Sequence, residues 1–247
     1  MKLGSKDIKS LYYKNKLVQA IYRGSDLFYS APSTVASYYD AVIADSPVAY
    51  WRLGEASGTT AIDASGNGRN GTYYGNPTLG EESLVPTESD TAVRFDGVND
   101  KVEVADNAVW DLQEFSLEAW VNLDDPLVGS NAFIVHQGTN YNWGLYEGST
   151  GLSFYVRLNG TVRTADAVGL TRGTAYHVVG TYDNTNGLQI YIDGSLADTT
   201  AITGTVSTNS GPLTIGYWNN HWIEGAIDEV AVYDYALTST QVANHYA

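Results

Sequence analysis

Residues 225–246 read GAIDEVAVYDYALTSTQVANHY and are the most informative stretch of the chain. The alternation over Glu229–Tyr233 predicts a β-strand, because successive side chains of a strand point to opposite faces of a sheet. Thr238 and Gln241 then have the spacing of a capping box, which predicts a short helix over 239–245. A strand followed by two helical turns at most points to a protein that is built mainly from strands.

Further segments with period-two alternation precede this stretch. The clearest lie at 93–96, 102–104, 116–121, 152–158, 177–182, 188–192 and 213–217. Asp193-Gly194 separates two of the alternating segments and is a two-residue turn that favours positive φ angles. Many short strands at such spacing predict an all-β fold, an antiparallel double-sheet jelly-roll sandwich.

Several motifs together resemble the laminin-G-like branch of the concanavalin A-like lectin/glucanase domains. They are YWRLGE (50–55), DASGNG (63–68), FDG (95–97), FSLEAWV (115–121) and IDEV (227–230). The resemblance covers 43–247 and implies a concanavalin A-like jelly roll. Domains of this kind usually bind a ligand rather than catalyse a reaction.

Composition excludes several classes of protein. The net charge of −15 opposes binding to nucleic acid, since a body this acidic repels phosphates. The chain has no cysteine, so neither disulfides nor a cysteine nucleophile are available. It has no apolar run long enough to cross a membrane, and no signal peptide is recognisable at its start. We therefore expect no membrane insertion.

The first 30 residues differ from the rest, with a net charge of +4 against −19 for residues 31–247. Residues 8–18 and 18–28 form a repeat with a spacing of ten, and each copy reads as strand, polar turn and strand. Two such hairpins bury little surface, so we expect this basic β-hairpin arm (1–30) to dock onto a partner or to support assembly. Residues 31–42 are predicted to be a linker, followed by the jelly roll at 43–247.

The arm also resembles a short module at the start of bacteriophage virion proteins. The resemblance is carried by MKLGSKDIKSLYYKNKLVQAIYRGSDLFYS (1–30). It implies other virion proteins as partners, a multimeric assembly, and a location on the surface of a phage particle. A generic β arm is the alternative.

Two aromatic groups are candidates for binding sugars, which proteins hold with flat rings and a few polar groups. The first group contains Tyr141, Trp143, Tyr146, Tyr155 and Arg157, and the second is the loop YWNNHW (217–222). Tryptophan in an asparagine-rich loop is unusual for a residue that only packs, because loops lie at the surface. The predicted ligand-binding residues are Trp143, Tyr155, Arg157, Trp218, Asn219, His221 and Trp222. Packing is the alternative for Trp218 and Trp222, and a polar loop residue without a ligand is the alternative for His221.

Oxygen-bearing side chains in turns suggest a structural Ca²⁺ ion, which takes six to eight oxygen ligands. Asp63 and Asn67 flank a tight turn, and Asp96 precedes a glycine. The family resemblance adds Asp228, with carbonyl groups near 95–97. Asx-turn hydrogen bonds at Asp63 and Asn67, and capping of backbone amides by Asp228, are the alternative.

No catalytic motif is present. Glycosidases need two carboxylates close together, and the spacing of Glu224, Asp228 and Glu229 does not match the usual pattern of this superfold. Asp228 and Glu229 are adjacent, so a regular strand would point them to opposite faces. We therefore expect a protein that is not an enzyme.

These observations favour a bacteriophage virion structural protein, such as a tail fibre, adhesin or head fibre. It would anchor by its arm and display a lectin-like domain for host glycans, with many copies making weak sites effective. The first alternative is a capsid or tail decoration (cement) protein with a purely structural role. A glycan hydrolase is the second.

Overall fold

A computed structural model describes residues 37–124, 132–148 and 151–247, together with the backbone of four short strands near the N-terminus. The chain divides into two compact units, Met1–Ser37 and Tyr38–Ala247. In the first unit, β1 (Tyr12–Tyr13) pairs with β2 (Lys16–Leu17), and β3 (Ala20–Arg23) pairs with β4 (Asp26–Ser30). The repeat predicted within 8–28 thus forms two antiparallel hairpins.

The regular secondary structure of the second unit, the jelly-roll unit, is almost entirely β-strand. Its strands are β5 (Ala49–Trp51), β6 (Thr60–Ala61), β7 (Gly71–Tyr74), β8 (Thr78–Glu82), β9 (Thr91–Asp96), β10 (Lys101–Val104), β11 (Phe115–Leu123), β12 (Ala132–Gln137), β13 (Trp143–Gly148), β14 (Gly151–Leu158), β15 (Thr161–Val168), β16 (Tyr176–Asp183), β17 (Gly187–Ile192), β18 (Ser195–Thr200), β19 (Leu213–Ile215), β20 (Tyr217–Trp218), β21 (His221–Trp222) and β22 (Glu224–Tyr233). A 3₁₀ turn (Ala108–Trp110) and two helices, α1 (Tyr38–Ala44) and α2 (Ser239–Tyr246), complete it.

These strands form two antiparallel eight-stranded sheets, as the sequence predicts for a jelly roll. Sheet 1 has the order β18-β17-β16-β11-β22-β9-β8, with β5 also paired to β22. Sheet 2 has the order β15-β14-β13-β12-β19-β10-β7-β6. The inward residues of both sheets, among them Trp51, Phe115 and Phe154, form one large buried core.

The turn at Asp193-Gly194 and the last helix agree with the sequence predictions. Asp193 and Gly194 have φ angles of 49° and 73°, as the tight hairpin between β17 and β18 requires. The Thr238 hydroxyl accepts the Gln241 amide hydrogen, and the Gln241 side chain accepts from the Thr238 amide, which completes the capping box of α2.

Helix α1 differs from the prediction. It begins at Tyr38, inside the stretch 31–42 that the sequence suggests is a linker, while residues 31–36 lie outside the described part. Tyr38 and Val42 are buried in a second apolar cluster, together with Tyr233 of β22 and Val242 of α2. Packing against sheet 1 and α2 therefore stabilises a seven-residue helix that is too short to stand alone.

A buried polar network fastens both helices to sheet 1. Glu118 of β11 is fully buried and accepts hydrogen bonds from the hydroxyls of Tyr38 and Tyr233, both at 2.8 Å. It also accepts from His177 Nε2 at 2.7 Å and His245 Nδ1 at 3.0 Å. Four donors thus converge on one carboxylate from α1, β16, β22 and α2.

His245 carries a positive charge in this network. Its Nδ1 faces Glu118, and its Nε2 lies 3.0 Å from the Asp45 carboxylate. Carboxylates only accept hydrogen bonds when ionised, so both ring nitrogens donate. The nearby carboxylate of Glu118 raises the pKa of His245 against the opposing effect of burial. The result is a buried ion pair.

Candidate functional site

The outer face of sheet 2 carries a group of aromatic side chains. Tyr155 and Tyr146 come from β14 and β13, and Phe133 and His136 come from β12. Their strand neighbours Leu145, Phe154 and Val156 lie in the core, so Tyr146 and Tyr155 point away from it. In β12 a register shift after Phe133 turns both Ile134 and Val135 to the core, which leaves Phe133 and His136 on the outer face. Tyr141 joins them from the loop before β13. We call this group, together with Trp218, the aromatic face.

The hairpin β20–β21 lies against the aromatic face. Its turn is Asn219-Asn220, with φ angles of 49° and 65°, and asparagine is one of the few residues that adopts this conformation readily. The hairpin brings the Trp218 ring to 3.9 Å from the Tyr141 ring and 5.1 Å from the Phe133 ring, measured between centroids. The two aromatic groups, which the sequence separates by about 60 residues, therefore form one surface.

The loop that presents Tyr141 is held by amide side chains. Asn142 is buried, and its side-chain amide donates to Gln137 at 2.7 Å and accepts from Asn209 at 2.6 Å. The Arg157 side chain donates a hydrogen bond to the Tyr141 carbonyl at 3.3 Å. Tyr141 itself has a φ of 52°, so these contacts hold a conformation that a free loop would rarely adopt.

A buried polar pair supports the aromatic face. His136 Nε2 lies 2.7 Å from the Gly138 carbonyl and must donate to it, so Nδ1 accepts from the Tyr155 hydroxyl. Burial lowers the pKa of His136 to about 3. His136 is therefore neutral at physiological pH, and it supports the Trp218 ring, whose centroid is 4.9 Å away.

The predicted ligand-binding residues take different positions. Trp218, His221 and Trp222 are partly exposed, Asn219 is exposed at the hairpin tip, and Arg157 is partly exposed beside Asn140. Tyr155 is on the aromatic face but is 1% exposed, beneath Tyr141 and Tyr146. Tyr155 therefore shapes the surface from below.

Trp143 does not belong to the surface, and the prediction for it is corrected. It is 0% exposed, points into the core between the sheets, and donates from its indole nitrogen to the Trp110 carbonyl at 3.2 Å. Its strand neighbours Gly144 and Tyr146 occupy the outward positions. Alternation along the sequence places Trp143 and Tyr146 on opposite faces of the strand, but it does not show which of the two faces outward.

Phe133 and His136 were missed in the sequence analysis. They lie in AFIVHQ, a buried strand whose six residues are all enclosed. Its register shift between Phe133 and Val135 interrupts the alternation that would have marked the outward positions.

Comparison with known proteins agrees with this architecture. The profile of the concanavalin A-like lectin/glucanases superfamily matches residues 96–243, which is more than half of the chain. The chain belongs to this superfamily. No curated protein sequence matches it.

Several solved structures share this fold. Domain 4 of AbnA, a GH43 extracellular arabinanase from Geobacillus stearothermophilus solved with arabinotriose, has a TM-score of 0.64 at 17% identity, covering 81% of this chain and 98% of that one. The binding domain of Paraclostridial Mosquitocidal Protein 1 has a TM-score of 0.67 at 16% identity, covering 83% and 52%. The binding domain of botulinum neurotoxin serotype D has 0.63 at 15%, covering 82% and 51%. The chain spans about half the length of these toxin domains.

The residues predicted for calcium do not meet in one site of this lectin-like domain. Both Asp63 oxygens accept hydrogen bonds, from the amides of Ser65 and Arg69 in its own loop and from the amide of Tyr50 in β5. The Asn67 amide donates to the Val48 carbonyl at 3.1 Å, and Asp96 accepts from the amides of its own turn. The hydrogen bond from the Ser65 amide to Asp63 fits the Asx-turn alternative for that residue.

Asp228 is placed differently. One of its oxygens accepts from the Ser83 hydroxyl and the Leu84 amide, both at 3.0 Å, while Oδ1 is buried without a partner. Gly225 pairs with Phe95, so Asp228 lies three residues, or roughly 10 Å, along the strand from the predicted carbonyl ligands. Among the described residues, no three acidic or histidine side chains cluster as a metal site would need. Calcium stays a prediction.

The neighbouring Glu229 also departs from the expected alternation. Pairing of β11 with β22 shifts register opposite Asp228, and Glu229 has a φ of 54°. Both carboxylates are fully buried, and burial, followed by the charge of Glu229, raises the pKa of Asp228 to about 8. Arg52, 2.9 Å from Glu229, partly balances these charges.

Melting curves test the calcium prediction at Asp228. A cation bound only by the folded protein stabilises it by mass action, so the wild type should melt at a lower temperature in EDTA than in CaCl₂. Asp228→Asn should melt at the same temperature in both. Equal melting temperatures of the wild type in EDTA and in CaCl₂ would refute the calcium prediction.

Proposed function

We propose that the chain is a non-catalytic glycan-binding protein displayed on the surface of a bacteriophage particle. The observation that carries the glycan-binding part is the meeting of Tyr141 and Trp218 on the outer face of sheet 2. Their rings are partly exposed and lie among polar groups, Arg157, Asn140 and Asn219, that offer hydrogen bonds to hydroxyls. Aromatic surface with a few convergent polar groups is the usual composition of a ligand site.

The arrangement of carboxylates supports a binding role over a hydrolytic one. Glycoside hydrolysis needs two carboxyl groups roughly 5–9 Å apart on either side of the scissile bond. The adjacent acids Asp228 and Glu229 are both fully buried and belong to sheet 1. Asp166 on sheet 2 accepts hydrogen bonds from Ser153 and Thr164, at 2.6 and 3.1 Å.

The superfamily of the chain and solved structures with the same fold also support this proposal. The AbnA domain was solved in complex with arabinotriose. Botulinum neurotoxin type C, whose structure has the same fold, depends on interaction with two ganglioside molecules for cell entry. Binding of sugar-containing ligands is therefore known for proteins with this fold.

The virion part of the proposal rests on the sequence of residues 1–30. This segment has a net charge of +4, resembles a phage virion module, and forms two small hairpins that need a partner to bury them. Among the described residues, no helix has the length and hydrophobicity needed to span a membrane. Attachment to a particle through these hairpins would leave the acidic jelly-roll unit free to bind.

Two experiments on the full-length chain test the proposal. A glycan array probed with a multivalent form should show binding to a defined set of glycans. Immunogold electron microscopy should show the chain on phage particles from cells that produce it. Labelled particles without glycan binding would instead support a decoration protein, and absence of label from the particles would refute the virion assignment.

A further inference from the structure

The hairpin β20–β21 has a second aromatic side. Its cross-strand pairs are Tyr217 with Trp222 and Trp218 with His221. Successive residues of a strand point to opposite sides, so only the second pair contacts the aromatic face. Tyr217 and Trp222 contact each other on the opposite side in a tilted arrangement, with ring centroids 4.0 Å apart, and both are partly exposed.

Strands β7 and β10 extend this second side. Lys101 Nζ lies 5.0 Å from the Tyr74 ring and 5.3 Å from the Tyr217 ring, within the range of a cation–π contact. Tyr74 is 47% exposed, which is unusual for a tyrosine that only packs. The four side chains therefore form a continuous aromatic and polar surface, which we call the second patch (Tyr74, Lys101, Tyr217 and Trp222).

The second patch and the aromatic face lie on the same sheet. Tyr74 is on β7 and Phe133 is on β12, with β10 and β19 between them. Three strand spacings separate these residues, a distance of about 14 Å. A ligand in contact with both surfaces must therefore be an extended molecule that crosses the hairpin.

The charges of the two surfaces favour an uncharged ligand. Lys101 is paired with Glu103 at 2.6 Å, so its positive charge is balanced. Arg157 keeps its charge, but its donors to the carbonyls of Tyr141 and Gly160 hold the guanidinium in place, so it is not free to follow an anionic group. The net charge of the whole chain is −15, which would repel a polyanionic glycan at moderate ionic strength.

We propose that the second patch is a ligand subsite and that the chain binds neutral oligosaccharides long enough to span both surfaces. This inference rests on the proposed function and adds to it the length and charge of the ligand. Tyr74 and Trp222 each stack on a sugar ring beyond the hairpin, while Tyr141 and Trp218 hold the part of the ligand on the aromatic face.

A chain-length series tests the inference. The full-length protein is applied to an array that carries neutral and acidic glycans of one to six sugars, and the neutral series that binds is then titrated in solution. Wild-type affinity should rise with length. Tyr74→Ala and Trp222→Ala should each weaken binding of the longest members by about fivefold to tenfold, with little effect on the shortest. Tyr74 is so exposed that its replacement leaves the fold intact.

The possible failures are distinguishable. Wild-type binding that does not depend on length, or that is unchanged in both variants, would overturn the second subsite and leave the proposed function standing. Binding confined to acidic glycans would overturn the assignment of a neutral ligand. A correctly folded wild type that binds no glycan would overturn both the subsite and the proposed function.

Discussion

Replacing Glu118 with glutamine should destabilise the jelly-roll unit by about 3–5 kcal/mol, as expected when one partner of a buried ion pair is removed. The carboxylate accepts four hydrogen bonds, two from tyrosine hydroxyls and two from histidine nitrogens. Glutamine offers one acceptor oxygen and places an NH₂ group against groups that donate. His245 also loses its buried counter-charge. For a domain of this size the melting temperature should fall by roughly 10 °C.

A matched control is Glu81→Gln. Glu81 pairs with Arg94 at 3.6 Å, but both side chains are more than a third exposed, so the loss should be about 0–1 kcal/mol. Denaturant unfolding of the three proteins gives the comparison. A loss for Glu118→Gln no larger than that of the control would contradict the role of the buried network.

The same network should shape the dependence of stability on pH. The paired histidines lower the pKa of Glu118 despite its burial, so its contribution is present above its ordinary value of 4.5 and is lost as the solution becomes more acidic. The pKa of His245 is raised, so its contribution is complete below its ordinary value of 6.5 and is lost as pH rises through the folded-state value. The gap between wild type and Glu118→Gln should therefore be widest between these two values.

Replacing Trp218 with alanine should reduce glycan affinity by about thirtyfold, equivalent to roughly 2 kcal/mol, as for the central residue of a binding site. Trp218 contacts Tyr141, Phe133 and His136, so its loss removes one stacking surface and loosens the others. The effect should be similar for short and long ligands, unlike that of Trp222→Ala. Isothermal titration with a glycan from the array measures it.

Tyr246→Ala is the control for this variant. Tyr246 is 44% exposed and stacks on Trp120 of sheet 1, away from the aromatic face. Its removal should leave affinity unchanged. Equal affinities for wild type and Trp218→Ala, with both proteins folded, would place the ligand elsewhere.

Much of the fold could be predicted from local patterns in the sequence. The alternation around Glu229–Tyr233, the Asp193-Gly194 turn and the capping box at Thr238 each specify short-range geometry. Helix α1 escaped prediction because its seven residues owe their helical state to contacts with Tyr233 and Val242, which are distant in the sequence. The role of Glu118 was not predictable from the local sequence for the same reason, because its hydrogen-bond partners are distant in the sequence.

The candidate site was predictable in its chemistry but only partly in its residues. Aromatic residues in an asparagine-rich loop marked Trp218 and Trp222, since exposed aromatics seldom serve packing alone. Trp143 and Tyr155 belong to strands with bulky residues on both faces, so alternation does not say which face meets solvent. Tyr74 and Lys101 became visible only when sheet pairing placed them beside Tyr217.

The most direct test of the central claim is an NMR titration of the six tryptophan indole N–H signals with a glycan that binds the full-length chain. The signals are assigned with single Trp→Phe variants. The account predicts that Trp218 and Trp222 shift on ligand addition, while the buried Trp51, Trp110 and Trp143 stay in place and serve as internal controls. Shifts at other tryptophans, with Trp218 and Trp222 unmoved, would contradict a glycan site on the outer face of sheet 2.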